Sequence, residues 1–174
     1  DTLRTVALNN SVPVPLYFNP RLPGQALPTG KDSYRFQEFP TKRPQNIEEC
    51  AFYTIGQLAH LIRTRQVTSL ELTTMYLERL KRHGPTLECV VTLTEELALK
   101  QARRADKNIK AGCYLGPLHG IPYGAKDLLA VPGYKTTWGA MTHKDQVLDE
   151  TATVVQKLEN AGAVLVAKLT LGAL

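Results

Sequence analysis

Apolar side chains recur along this chain first at helical spacing and later at strand spacing. Thr54 precedes Ile55, Leu58, Ala59 and Ile62, which share one helical face, and Gln57 stands in capping-box spacing behind the threonine. A second box, Thr68 with Glu71, opens a helix with Leu72, Tyr76 and Leu80 inward, and Lys81, Arg82, His83, Gly84 and Pro85 predict its end. The two short helices are expected to pair. Leu87 to Leu93 reads as a strand, and Thr94, Glu95 and Glu96 start a third helix toward Ile109, with Gly112 near its stop.

From there strands and helices alternate. Ile121 to Lys126 predicts a short strand and Thr151 to Ala161 a helix with Val154, Val155 and Leu158 inward. Gly162 is its left-handed terminator, and Ala163 to Ala167 is a wholly apolar strand. Strand, crossover and strand make a parallel α/β sheet, and an all-apolar strand belongs in its interior. So central a strand near the last residue predicts an incomplete sheet, finished by further chain or by another polypeptide.

The region before these elements has a different grammar. Val12 to about Gln45 holds Pro13, Pro15, Pro20, Pro23, Pro28, Pro40 and Pro44 with Gly24 and Gly30 between them. Each proline removes a donor and restricts its predecessor, so a long helix is excluded. Leu16, Tyr17, Phe18, Tyr34, Phe36 and Phe39 are more apolar than a free linker would carry. Residues 1–47 are therefore expected to form an extended arm packed on a body of residues 48–174.

Composition narrows the class. With 43% hydrophobic and 21% charged residues, the chain has the balance of a globular protein that folds in water. The formal charge of +5 is scattered, and its densest cluster, Lys81 to His83, suits a helix end better than a nucleic-acid footprint. No apolar run nears the ~18 residues of a membrane span, and the start has no targeting pattern. Cys50, Cys89 and Cys113 fall in no metal-binding or disulfide spacing and read as packed thiols. The chain opens on Asp1 rather than Met, so its true start is expected to have been removed, by a cause the sequence does not give, and cytoplasm and export are both open.

The most unusual segment is Gly116-Pro117-Leu118-His119-Gly120-Ile121-Pro122-Tyr123-Gly124-Ala125-Lys126-Asp127. It sets a lysine among small residues at the carboxyl end of a strand, where open α/β sheets bind ligands. A lysine desolvated there loses its preference for the ammonium form and becomes a base near neutral pH. Asp127 would oppose this if it faced the same way, but neighbours on a strand face opposite sides, so it is expected to turn away and cap a turn.

This segment resembles the GPLxGxPxxxKD stretch of the amidase signature family. Gly133-Tyr134-Lys135-Thr136-Thr137-Trp138-Gly139-Ala140 resembles the glycine and Thr-Thr pair that follow it. Asp149 to Val155, Leu158, Ala161-Gly162-Ala163 and Ala167-Lys168-Leu169-Thr170 resemble the family's next stretch, with Leu169 intervening before the threonine. The likeness runs from roughly Tyr53 onward and leaves the arm uncovered. It implies an α/β/α layered fold with a mixed central sheet, incomplete in this chain. It also implies hydrolysis of a carboxamide C–N bond by a lysine, a bridging serine with a cis peptide bond and a nucleophilic serine, through an acyl-enzyme and without metal or cofactor. By that likeness Lys126 is the base, and Thr136, Thr137, Trp138 and Gly139 lie along the substrate cleft.

The serines are Ser11, Ser33 and Ser69, none after Lys126, and Ser69 reads as a cap residue at a helix start. This chain would thus supply only the lysine and be inert alone. His119 is expected to bond a turn, and a Cys113–His119 pair across a Gly-Pro turn has no known signature. The resemblance implies as partners a small amide substrate and the missing C-terminal part of the domain. Nucleic acid and membrane are not expected, and a homo-oligomer is open. Two alternatives remain: the glutaminase (A) subunit of a tRNA-dependent amidotransferase, and a non-catalytic amidase fragment.

Overall fold

The structure is a computed structural model that describes residues 24–26, 29, 30, 33, 37 and 39–173. The chain divides into two compact units, residues 1–35 and 36–174. Most of the expected arm lies outside the described residues. Its last part belongs to the second unit, to which everything below refers.

There Arg43 donates from its backbone to Gln66 Oε1 (2.9 Å) and from its guanidinium to the Gln66 carbonyl and to Glu71, both 2.8 Å. A 3₁₀ helix, Ile47–Phe52, follows, capped by Asn46. Both expected capping boxes form: Thr54 with Gln57 opens α1 (Ile55–Arg63), and Thr68 with Glu71 opens α2 (Ser69–Leu87). Leu58, Leu61 and Ile62 of α1 meet Leu72 and Met75 of α2 in one cluster with Cys50, Val67, Ile109 and Ile121. Each such side chain contributes about 1.5–3 kcal/mol by leaving water. Ile55, expected inward, is exposed.

Helix α2 runs past its expected end. Gly84 and Pro85 lie inside it, and the terminator is Glu88 at φ 49°. Gly84 is buried, and a Cβ there would stand 3.1 Å from a methyl of Val90, so this glycine lets helix and strand approach rather than ending the helix. Strand β1 (Val90–Leu93) accordingly starts later than expected, and α3 (Glu95–Lys110) follows at Thr94. The Thr94 hydroxyl caps nothing; it donates to the Leu165 carbonyl at 2.7 Å.

Strands β2 (Pro122–Lys126) and β3 (Val164–Leu169) frame α4 (Thr153–Asn160). The sheet order is β1-β3-β2, with β3 parallel to β2 and antiparallel to β1, a small mixed sheet with the all-apolar strand at its centre. Val164 and Val166 face Leu77 of α2 and Ala98 and Ala102 of α3, while Leu165 faces Val155 of α4 and Ala125 of β2. Alternate residues of one strand are thus covered from two sides, which makes the α/β/α layering. Val154, expected inward, is exposed. β1 pairs only with the far end of β3, and the Gln101 side chain accepts from Leu165 N–H at 2.9 Å in its place.

Candidate active site

The turn that delivers β2 is held from both sides. Gly120, at φ 82°, donates to the Gly162 carbonyl, and its own carbonyl accepts from the Ser69 hydroxyl at 2.8 Å. Ser69 is fully buried and lies inside the first turn of α2, with Thr68 as the cap residue; the cap expected of Ser69 is instead a bolt between α2 and β2. The start of α2 is further held by Asp106, whose carboxylate accepts from the backbone of Ser69 (2.7 Å) and Leu70 (3.0 Å), a charge at the positive end of the helix.

His119, buried in this turn, accepts at Nδ1 from Leu115 N–H at 3.0 Å and stacks on Tyr114, as a turn-bonding histidine should. Burial, then the Arg104 cation, hold it below the usual imidazole range. Cys113 is exposed. Burial, then the Glu159 carboxylate, push the Tyr123 phenol up to about 12, so it stays a neutral packing group.

At the other end of β2 the strand alternates as required: Ala125 and Asp127 are buried, and Gly124 and Lys126 are exposed. Gly124 cannot be replaced freely, because a Cβ would stand 2.5 Å from Leu169 Cδ1. The desolvation expected of Lys126 is not met among the described residues: its side chain is open to solvent, on a face that no element of the described chain covers.

Asp127 does turn away and does hold a turn. Its Oδ2 accepts from the Thr137 backbone (2.9 Å) and hydroxyl (2.5 Å). Its Oδ1 lies 2.8 Å from Nζ of Lys168, and both side chains are wholly buried. Lys168 also donates to the Lys135 carbonyl (2.8 Å) and the Thr136 hydroxyl (3.2 Å). Strand β3 was expected to end before this lysine; it continues through it because a counter-charge waits there. The available signal was a charged residue directly after five apolar ones.

The four loop residues of the expected cleft are therefore not equivalent. Thr136 is buried against Lys168 and Thr137 is spent on Asp127, whereas Trp138 is half-buried beside His143 and Gly139 is exposed. Trp138 sits at φ 51°, a left-handed geometry unusual for a bulky residue. A groove of about 850 Å³, lined by Ile55, Ala59, Tyr114, Pro117, Leu118 and Ala161, lies at the amino ends of β2 and β3, away from Lys126. No helix among the described residues is long and apolar enough to cross a membrane.

Comparison with known proteins places this arrangement. Residues 71–173 match the profile of the family described as Amidase. A Mycobacterium tuberculosis protein carrying the name amidase AmiD is 40% identical over 130 residues, 74% of this chain and 27% of that protein. The A subunit of the glutamyl-tRNA(Gln) amidotransferase of Azoarcus is 42% identical over 115 residues, covering 66% and 23%. The native peptide amidase of Stenotrophomonas maltophilia superposes with a TM-score of 0.64 at 33% identity, over 70% of this chain and 25% of that one. The chain belongs to the amidase signature family and spans about a quarter of the length of these relatives.

Proposed function

We propose that this chain is the lysine-bearing part of an amidase that hydrolyses the C–N bond of a carboxamide, with Lys126 as the base. The observation that carries this reading is the split at the end of β2. Lys126 faces an open surface at the carboxyl end of a parallel strand, while the carboxylate beside it is buried and already paired with Lys168. An amine held there takes a proton from a bridging serine, which in turn takes one from a nucleophilic serine. Attack on the amide carbon gives a tetrahedral intermediate whose C–N bond breaks as the proton returns through the bridging serine to the departing amine, and water then opens the acyl-enzyme to the acid. Trp138 and Gly139 are the loop residues left to meet a substrate.

The test uses the full translation product that contains these residues, assayed on simple amides before and after a serine-directed fluorophosphonate. Turnover should vanish on labelling and in Lys126→Ala; undiminished turnover in Lys126→Ala refutes the assignment. A second reading, the glutaminase component of an amidotransferase, is favoured by the similarity to the Azoarcus protein. It predicts that glutamine is hydrolysed only when the other components of the amidotransferase are added.

A further inference from the structure

We infer that the buried Asp127–Lys168 pair is a positioning clamp for Lys126, locking the end of β2 to the Lys135–Trp138 loop. This rests on the reading of Lys126 as the base. Two opposite charges, wholly buried, cost more in lost hydration than their attraction returns unless every remaining donor and acceptor is met, and an apolar pair of equal volume would stabilise as well or better. Here that condition is only partly met: Lys168 donates to the Lys135 carbonyl and the Thr136 hydroxyl, but Asp127 Oδ1 meets its Nζ as an ion pair alone and accepts no hydrogen bond, so the pair is poorly explained by stability. Asp127 gathers the Thr137 N–H and hydroxyl on its other oxygen.

Its main chain is tied as well. Asp127 N–H donates to the Leu169 carbonyl at 2.8 Å, and its carbonyl accepts from Trp138 N–H at 3.4 Å. Beyond the loop, Thr136 and Gln146 exchange two hydrogen bonds of 2.9 Å, from Thr136 N–H to the Gln146 carbonyl and from the Gln146 amide to the Thr136 carbonyl. The residue next to Lys126 is thus immobilised by side chain and backbone, and the direction of the Lys126 Cα–Cβ bond is set with it. A greasy contact would fill the space without fixing a direction. Two charges with assigned hydrogen bonds admit one arrangement, which a base needs because a displacement of ~1 Å can lower rate ~100-fold.

The experiment compares four forms of the full translation product: wild type, Lys126→Met, Thr137→Val, and the double variant Asp127→Asn with Lys168→Met. The double variant removes both charges together, so neither is left unpaired, and Asn keeps an acceptor for Thr137. Circular dichroism and thermal melts establish that each form is folded. The clamp predicts a kcat ~100-fold lower in the double variant and about tenfold lower in Thr137→Val, each with KM within twofold of wild type, and fluorophosphonate labelling slowed in parallel. A folded double variant with near-normal kcat, beside an inactive Lys126→Met, would make the pair purely structural and overturn the inference. Should the double variant not fold, Thr137→Val decides: a raised KM with unchanged kcat assigns Thr137 to substrate contact and overturns the clamp. An active Lys126→Met removes the reading beneath it, a failure distinguishable from the other two.

Discussion

Gly162 and Gly112 form a matched pair in which backbone geometry is constant and only the surroundings differ. Each follows a helix and sits at φ 83°. In each, the glycine N–H bonds back to the carbonyl three residues earlier (Glu159, 2.9 Å; Ile109, 3.1 Å), and the next N–H to the carbonyl five residues before it (Leu158, 3.0 Å; Asn108, 2.9 Å). Both are full Schellman ends. A Cβ at Gly112 would meet nothing within 4 Å, whereas at Gly162 it would stand 2.4 Å from Cδ2 and 2.9 Å from Cγ of the buried His119. Gly112→Ala should therefore cost only the left-handed penalty, about 1–2 kcal/mol. Gly162→Ala adds overpacking of about 1–3 kcal/mol, because the ring is held by Leu115 and Tyr114 and cannot swing aside. With a urea slope near 2 kcal/mol/M, the midpoint of Gly162→Ala should lie ~0.5–1.5 M below that of Gly112→Ala at equal slope. In a His119→Ala background the gap should close. Equal midpoints for the two alanine variants, or a gap that persists without the ring, would show that the His119 contact does not limit this position.

Two further outcomes follow from the geometry. Ser69→Ala should destabilise by about 1–3 kcal/mol in chemical denaturation, because it strands the buried Gly120 carbonyl, and a change below 0.5 kcal/mol (roughly the cost of a surface substitution) would mean water replaces the hydroxyl. Glu71 is held at about 2, chiefly by its hydrogen bond to Arg43, so its folded value lies below the unfolded one near 4.3. Its contribution is complete above about pH 4.3 and fades as pH falls toward 2. The acid limb of a stability-against-pH curve should be shallower in Glu71→Gln than in wild type over that window, by a modest amount since the carboxylate is substantially exposed.

The element order, both capping boxes, the αL stop at Gly162 and the central place of β3 were all legible in the sequence, because each is local or follows from uninterrupted apolarity. The Lys126–Asp127 step was legible for the same reason: strand pleating sends neighbours to opposite faces whatever the fold around them.

Only the tertiary structure decided the rest. That α2 continues through Gly84 and Pro85 depends on Val90 lying against the glycine, and that Val154 is exposed depends on how far α4 is covered. Ser69 became a bolt because the β2 turn docks on α2, and Thr136 and Thr137 became loop anchors because Lys168 of β3 and Asp127 at the end of β2 are brought to them. Each of these turns on a contact between segments distant along the chain, where a side chain's role is set by the partner it meets. Local periodicity sees only which way a residue points, and a buried charge such as Lys168 declares that a partner exists without naming it.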